Sequence, residues 1–293
     1  MSTQGSFHGR SFNTLSVSRG TDNTSRYLPQ LADISFVPHG DTAALAAVLD
    51  HGTAAVIVEP VQGEGGVRIP SLEWLSEVEA LCRQHGAMLI VDEIQTGFCR
   101  TGKFFALEHS PTPIQLDFMT MAKGIAGGFP FAAFAVNEAV NARIQKDDHG
   151  GTYCGNPLGC ALSNTVIGYL REHDIASKVQ LSGSLLLQAL QALQRQLPQL
   201  IKQVRGLGLI CAIEFHQPAL ARQLTLRCAD EGLLVVPTRN GIIRLLPDLL
   251  VSRQDMETAV ATLQRVLQQT GKPLGCLFGH WVVAAIAPRV ATA

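Results

Sequence analysis

The chain has 293 residues, a length typical of about two domains. Hydrophobic residues make up 46% and charged residues 16%, which favours a compact fold with a buried core and excludes a mainly disordered chain. The net charge of −1 creates no field that would attract nucleic acid or an anionic membrane. The sequence shows neither a secretory signal nor an apolar stretch long enough to span a bilayer, so we expect a cytoplasmic protein without nucleic-acid or membrane partners.

The seven cysteines are widely scattered, and none of them forms a C-x-x-C pair. This spacing argues against a disulfide framework and against a zinc site. We therefore predict that the cysteines are small buried hydrophobic residues.

The first predicted helix covers residues 41–50, where apolar residues recur at helical spacing. Asp41 is a candidate N-cap because its carboxylate can accept a hydrogen bond from a free backbone N–H of the first turn. Leu45, Val48 and Leu49 form the expected buried stripe of this helix.

Four short apolar runs then predict strands at 54–59, 87–93, 118–122 and 131–136. The segment 71–86 has helical periodicity, with Ser71 as a candidate N-cap and Gly86 where the helix stops. A helix between two strands indicates a strand-helix-strand unit, so the pattern predicts an α/β fold with a mostly parallel sheet.

Longer helical patterns begin after residue 155. We predict helices at 157–171, 175–197 and 252–268 and strands at 207–215, 233–237 and 242–246. This change of character places a domain boundary near residue 170. It predicts a large domain in residues 1–170 and a smaller α+β domain in residues 171–268, followed by an unassigned apolar tail in residues 269–293 that contains Trp281.

Polar side chains follow the predicted strands, at the places where ligands bind in parallel sheets. Glu59 ends the first run, Asp92 and Glu93 end the second, and Lys123 follows the third. A glycine-rich loop at 149–159 comes next. A carboxylate at a strand end is commonly a turn or helix cap, whereas a lysine beside a buried strand and a glycine-rich loop can lose solvation and act as a nucleophile.

Two arginines are further candidates for binding residues. Arg244 is the one charged residue of the apolar run IIRLLP, and Arg10 lies in FHGR. Because an unpaired buried charge is costly, Arg244 needs an anion, which is either a structural carboxylate or a substrate carboxylate. The glycines at 63–66 lack the G-x-G-x-x-G spacing, because Arg68 stands where the last glycine belongs, so a dinucleotide site is not indicated.

Seven motifs occur in a fixed order: FHGR (7–10), EPVQGEGGV (59–67), VDEIQTGFCRTG (91–102), MAKGIAGGFP (121–130), GTYCGNPLG (151–159), VRGLGL (204–209) and IIRLLP (242–247). Together they resemble the class III pyridoxal-phosphate aminotransferases, most closely the acetylornithine and ornithine aminotransferases. The resemblance covers residues 6–268. It implies the fold type I of pyridoxal-phosphate transferases, with part of the large domain and a C-terminal small domain.

The resemblance also implies roles for cofactor-binding residues. Lys123 matches the lysine that condenses with the cofactor aldehyde and later moves a proton, and Asp92 matches the carboxylate that keeps the ring nitrogen protonated. Gln95 matches the residue that makes a hydrogen bond to the phenolic oxygen of the ring. Phe7 falls where an aromatic side chain covers one face of the ring, although plain core packing is the alternative.

The resemblance further implies a homodimer and two substrate-binding arginines. Thr152 matches a hydroxyl that reaches the cofactor phosphate of the neighbouring subunit. Arg10 and Arg244 match the arginines that bind substrate carboxylates. Glu64 matches the carboxylate that covers the second arginine while the ω-amino donor binds and leaves it for 2-oxoglutarate, which is consistent with the need of a buried arginine for an anion.

The implied reaction moves the terminal amine of an acetylornithine-like or ornithine-like donor to 2-oxoglutarate. A semialdehyde and glutamate are the products. Amino transfer from 4-aminobutyrate or putrescine is an alternative, and a catalytically silent homologue that acts as an interaction protein is another.

The sequence departs from the family pattern at both ends. Family members carry a long segment before FHGR, including a turn at a helix start that binds the cofactor phosphate, so we expect a shortened chain. The tail after residue 268 has no counterpart that we recognise. Gly151 stands where relatives of the ornithine type often have serine, which leaves the donor open.

Overall fold

The computed structural model describes residues 1–18, 27, 31, 33–238 and 240–269. In chain order, the first half contains β1 (Ser2–Thr3), α1 (Phe12–Ser16), β2 (Phe36–Val37), α2 (Thr42–Val48), β3 (Ala55–Val58), α3 (Trp74–His85), β4 (Met88–Asp92), β5 (Phe118–Met121), β6 (Ala133–Val136) and α4 (Glu138–Asn141). Short 3₁₀ helices lie at Ala106–His109 and Lys123–Ala126. The second half contains α5 (Pro157–Glu172), α6 (Ile175–Gln196), β7 (Ile201–Leu207), β8 (Ile210–Phe215), α7 (Pro218–Asp230), β9 (Val236–Pro237), β10 (Ile242–Leu245) and α8 (Arg253–Gln268).

The first half is built on a four-stranded sheet in the order β3-β4-β5-β6. Strands β3, β4 and β5 are parallel, which confirms the predicted α/β class. Strand β6 runs antiparallel to β5, so the sheet is mostly parallel, as predicted. The reason for the antiparallel pairing is the connection 122–132, whose one helical element is the short 3₁₀ helix, because a parallel crossover usually needs a dozen or more residues with a full helix.

Helices α2 and α3 cover one face of this sheet. The core there includes Val56, Val58, Val78, Leu89 and Val91. Asp41 caps α2 as predicted, because its side chain accepts a hydrogen bond from the backbone N–H of Ala44 at 2.8 Å. Leu45 and Leu49 are buried, but Val48 is exposed, so the predicted stripe is wrong at the position where the helix ends.

Helix α3 ends where the sequence predicts and begins later. Gly86 follows its last residue with a φ of 73°, a left-handed conformation that glycine adopts without strain. The predicted cap at Ser71 is wrong, because α3 begins at Trp74. The backbone carbonyl of Ser71 instead accepts a hydrogen bond from the backbone N–H of Trp74 at 3.2 Å, which forms a turn before the helix.

The second half is built on an antiparallel sheet in the order β7-β8-β10-β9. The predicted strand at 207–215 is in fact the end of β7, a turn and all of β8. Gly208 makes the turn with a φ of 57°. The exposed residues Lys202 and Gln203 interrupt the apolar pattern of β7. This interruption explains why the sequence pattern did not predict the first half of that strand.

The long helices α5, α6 and α8 confirm the predictions at 157–171, 175–197 and 252–268. They contribute to one core with the second sheet, which includes Ile175, Leu190, Ile213, Leu224 and Leu263. The domain boundary near residue 170 stays a prediction. Residues 270–293 of the predicted apolar tail lie outside the residues that the structure describes.

Two arginines connect the loops of the first sheet to the second sheet. Arg100 donates from Nη1 to the backbone oxygens of Leu209 and Pro247, at 3.0 and 2.6 Å. Arg205 on β7 donates from Nη2 to the backbone oxygen of Gly66 at 2.7 Å. These charge-assisted bonds fix the loops after β3 and β4 against the second sheet, and these loops carry the candidate site.

Four of the six described cysteines, Cys82, Cys99, Cys211 and Cys228, are buried, as predicted. Cys154 is exposed and Cys160 is partly exposed, so the prediction is wrong for these two residues. Both belong to the segment around the start of α5, which few other elements cover. Among the described residues, no helix has the length and apolar character needed to cross a bilayer.

Candidate active site

The site begins where the three parallel strands end. Glu59 follows β3, Asp92 is the last residue of β4, and Lys123 lies two residues after β5. Neighbouring parallel strands end at the same edge of a sheet, so these three side chains are expected to be close. In agreement with this expectation, the charges of Asp92 and Glu59 act to raise the pKa of the Lys123 amine.

Lys123 is the first residue of the second 3₁₀ helix, and its φ of 44° is unusual for a residue with a side chain. Although the residue reaches solvent, desolvation of its amine lowers its pKa. Asp92 and Glu64 oppose this change, and Arg244 adds to it. A lowered pKa increases the share of neutral amine, which is the nucleophilic form.

Asp92 is buried and paired with a histidine that the sequence analysis did not single out. The Nδ1 atom of His8 lies 2.7 Å from Oδ2 of Asp92. The other carboxylate oxygen, Oδ1, accepts the backbone N–H of Ile94 at 3.1 Å. Within the described part of the chain, the buried Nε2 of His8 has no hydrogen-bond partner. His8 lies inside the FHGR motif, and this position was the one available signal.

Glu59 is a buried carboxylate that makes a hydrogen bond to the same FHGR motif. Its Oε2 atom accepts the backbone N–H of Phe7 at 3.1 Å. Burial, together with the nearby charge of Asp92, raises the pKa of Glu59 to about 8. The side chain of Phe7 is partly buried, and the exposed guanidinium of Arg10 lies 5.8 Å from the centre of its ring.

Arg244 reaches this site from β10 of the second sheet and is buried. Its Nη1 atom lies 2.8 Å from Oε1 of Glu64 and donates to Oε1 of Gln95 at 3.0 Å. The carboxylate of Glu64 is therefore the anion that a buried arginine was expected to need. Arg205 holds the backbone at Gly66, and in this way it fixes the loop on which Glu64 lies.

Thr152 is the one predicted site residue that the structure does not bring into this cluster. It is exposed in the loop before α5, and it makes no hydrogen bond to any other described residue. Its neighbour Tyr153 is 83% exposed. The predicted role of Thr152 requires a second subunit, so its position in a single chain does not test that role.

A family model described as aminotransferase class-III matches residues 1–267. The chain belongs to the class III aminotransferase family. It is 37% identical to the ornithine aminotransferase of Oceanobacillus iheyensis over 91% of this chain and 66% of that protein. It is also 37% identical to the acetylornithine aminotransferase of Methanopyrus kandleri, over 92% of this chain and 67% of that protein. It thus spans about two thirds of the length of these curated relatives.

The fold also matches solved class III enzymes, which are transferases that depend on pyridoxal phosphate. A structure of the ornithine aminotransferase of Toxoplasma gondii, described with partial occupancy of PLP at its active site, superposes with a TM-score of 0.85 at 29% identity. The match covers 90% of this chain and 63% of that one. It confirms the predicted fold of pyridoxal-phosphate transferases, of which this chain contains part of the large domain.

The residues of this site fit the cofactor of class III aminotransferases. A buried carboxylate such as that of Asp92 suits a protonated ring nitrogen, and His8 holds it in place. Lys123 offers an amine with a lowered pKa. Gln95 uses its oxygen for Arg244, and its amide nitrogen makes no hydrogen bond to the described residues, so it is available to the ring oxygen.

Proposed function

We propose that this protein transfers an ω-amino group from an ornithine-like or acetylornithine-like donor to 2-oxoglutarate, giving a semialdehyde and glutamate. The observation that carries the proposal is the contact of 2.8 Å between Arg244 and Glu64, close to the amine of Lys123. A buried guanidinium keeps its charge and needs an anion at all times. It can therefore exchange a protein carboxylate for a substrate carboxylate within the same site.

The other residues have roles that follow from their chemistry. Bound pyridoxal phosphate supplies an aldehyde that bonds to amines and a ring that withdraws electrons from the reacting carbon. Lys123 would hold it through its amine and would move the proton at the substrate carbon, which the lowered pKa of this amine favours. Asp92, held by His8, keeps the ring nitrogen protonated. Phe7 would cover one face of the ring and exclude water.

The substrates are distinguished by their carboxylates. Glu64 covers Arg244 while the ω-amino donor reacts, and it moves away when 2-oxoglutarate brings its own carboxylate. Glu64 is 39% exposed at its side chain, so it has room to move, whereas Arg244 is 7% exposed and stays. Arg10 binds the other carboxylate of the substrate, and its exposure at the edge of the site favours this role.

The proposal includes a homodimer, in which Thr152 reaches the cofactor phosphate of a neighbouring subunit. What supports it is the exposure of this loop and of the large side chains Tyr153 and Leu158, because solvent-exposed apolar surface of this kind favours a partner. A cytoplasmic location also remains a prediction from the sequence.

The decisive experiment is covalent labelling of Lys123. The purified protein is mixed with pyridoxal phosphate, reduced with borohydride and digested for mass spectrometry. We expect the label on the peptide that contains Lys123, its loss in Lys123→Ala, and its retention in the matched control Lys178→Ala, which changes an exposed lysine of α6. Unlabelled Lys123 in the unmodified protein would show a catalytically silent homologue.

The same preparation identifies the donor. Half-reactions are followed by absorbance with ornithine, acetylornithine, 4-aminobutyrate and putrescine, and then with 2-oxoglutarate. Arg244→Ala should lower kcat/KM for 2-oxoglutarate about 100-fold and change the putrescine reaction less than about threefold, because putrescine has no carboxylate. Arg83→Ala is the surface control. Equal losses for both substrates would contradict the role of Arg244.

A further inference from the structure

Arg244 has two acceptors on a single nitrogen, and they lie on different loops. Nη1 contacts Oε1 of Glu64, in the loop after β3, and Oε1 of Gln95, in the loop after β4. Within the described residues, the buried Nε of Arg244 has no partner. The guanidinium of Arg244 is therefore held through Nη1, and the two acceptors on this nitrogen determine how the group is oriented.

The orientation of the Gln95 amide follows from this contact. An arginine only donates hydrogen bonds, so the oxygen of the amide must face Arg244 and its nitrogen must point elsewhere. Gln95 is three residues away from Asp92 along the chain. The Gln95 side chain thus connects Arg244 to the edge of the sheet where Asp92 lies.

Gly63 holds the Gln95 amide in a narrow space. A Cβ atom at Gly63 would lie 1.3 Å from Oε1 and 2.4 Å from Cδ of Gln95, so a side chain at this position would displace the amide of Gln95. Because Gly63 has no side chain, the amide of Gln95 packs directly against the backbone of the loop that carries Glu64. The two acceptors of Arg244 therefore differ, because Glu64 is 39% exposed and free to leave whereas the amide of Gln95 is confined.

We propose that Gln95 is a positioning residue for Arg244, the neutral acceptor that keeps the guanidinium directed at the substrate while Glu64 leaves. This inference rests on the proposed function, in which a substrate carboxylate replaces Glu64. A neutral acceptor does not compete for the charge of Arg244, so the incoming carboxylate meets a guanidinium that is oriented and not neutralised. A confined carboxylate in the place of Gln95 would instead keep Arg244 covered.

The test is the binding of glutarate, an unreactive dicarboxylate, measured by calorimetry with the cofactor-loaded protein. Gln95→Leu should weaken glutarate binding about tenfold or more, because it removes a hydrogen bond to a charged group. Gln115→Leu is the matched control, since Gln115 accepts a hydrogen bond from Arg83 at 2.8 Å on the surface. We expect the control to bind glutarate within about twofold of the unmodified protein.

A charge-swapped double variant, E64Q together with Q95E, separates positioning from a structural role. It keeps one carboxylate and one amide on Arg244, so the urea midpoint should stay close to that of the unmodified protein. Glutarate binding should still be lost, because the carboxylate now lies on the confined side chain. Gly63→Ala, which displaces the amide without removing it, should weaken glutarate binding as Gln95→Leu does.

Unchanged glutarate affinity in Gln95→Leu, or full affinity in the double variant, would overturn the inference. The proposed function is judged separately, from labelling of Lys123 in the unmodified protein. The titration is repeated without pyridoxal phosphate, so that a loss of affinity caused by a lost cofactor is recognised. A loss that disappears in the cofactor-free protein would also count against the direct role of Gln95.

Discussion

The protein carries the same trio of side chains twice, once around a buried arginine and once around an exposed arginine. The buried triad is Arg244, Glu64 and Gln95, and the surface triad is Arg83, Glu79 and Gln115. In both triads one nitrogen of the arginine contacts a glutamate oxygen and a glutamine oxygen. The side chain of Arg83 is 55% exposed and that of Arg244 is 7% exposed.

The difference in exposure decides what the same contacts can do. At the surface, water replaces any lost partner, so the contacts are worth little and the arginine can be alone. Below the surface, an arginine left without a partner is poorly solvated, so it must hold an anion in every state of the protein. Burial therefore turns an ordinary ion pair into a site at which one anion has to be exchanged for another.

The largest expected effect concerns Glu59, a buried carboxylate for which the described residues offer no ion-pair partner. Its folded pKa of about 8 lies above the ordinary value of 4.5, so the folded protein binds the additional proton between these two values. Stability then falls as the pH rises through this window. From pH 5 to 8 the loss attributable to Glu59 should be on the order of 3 kcal/mol.

Urea unfolding of the unmodified protein and of Glu59→Gln over this pH range measures that loss as a difference. The variant keeps an oxygen for the backbone N–H of Phe7 and removes the titration, so its stability should fall less with pH. Glu257→Gln is the control, because the side chain of Glu257 is 56% exposed. Parallel curves for the unmodified protein and Glu59→Gln would show that burial does not perturb this carboxylate.

The sequence alone predicted the ends of the strands and hence much of the site. Glu59, Asp92 and Lys123 were found because parallel strands end at one edge of a sheet, and this rule needs no distant contact. The roles of Gln95, Glu64 and Arg244 came from the resemblance to class III enzymes. The long helices α5, α6 and α8 were predicted because their periodic patterns are long.

What the sequence could not predict depends on contacts between distant residues. The pairing of His8 with Asp92 joins residues 84 apart, and the bond from Arg244 to Gln95 joins residues 149 apart. No local pattern reports such a pair. The first half of β7 was missed for a different reason, since its polar residues Lys202 and Gln203 lie at an exposed part of the sheet and mask the apolar alternation.

The next effect in size compares the two glutamates of the triads directly. Glu64→Gln leaves the charge of Arg244 without an anion and should cost about 1.5 kcal/mol in the free energy of unfolding, less than a fully buried pair because Glu64 is partly exposed. Glu79→Gln should cost about 0.3 kcal/mol. Urea unfolding at pH 7 measures both values. Equal costs would mean that burial of the arginine does not matter.

The smallest effect is the salt dependence of these two costs, and it tests the comparison most strictly. In 1 M NaCl the Debye length falls to about 3 Å, so the charge of the exposed Arg83 is screened and the cost of Glu79→Gln should fall. The cost of Glu64→Gln should fall less, because the side chain of Arg244 is only 7% exposed and salt screens a buried charge less. Urea unfolding in 0.05 and 1 M NaCl measures this. If the two costs fell in parallel, solvent would reach Arg244, and the argument for an obligatory exchange of anions would fail.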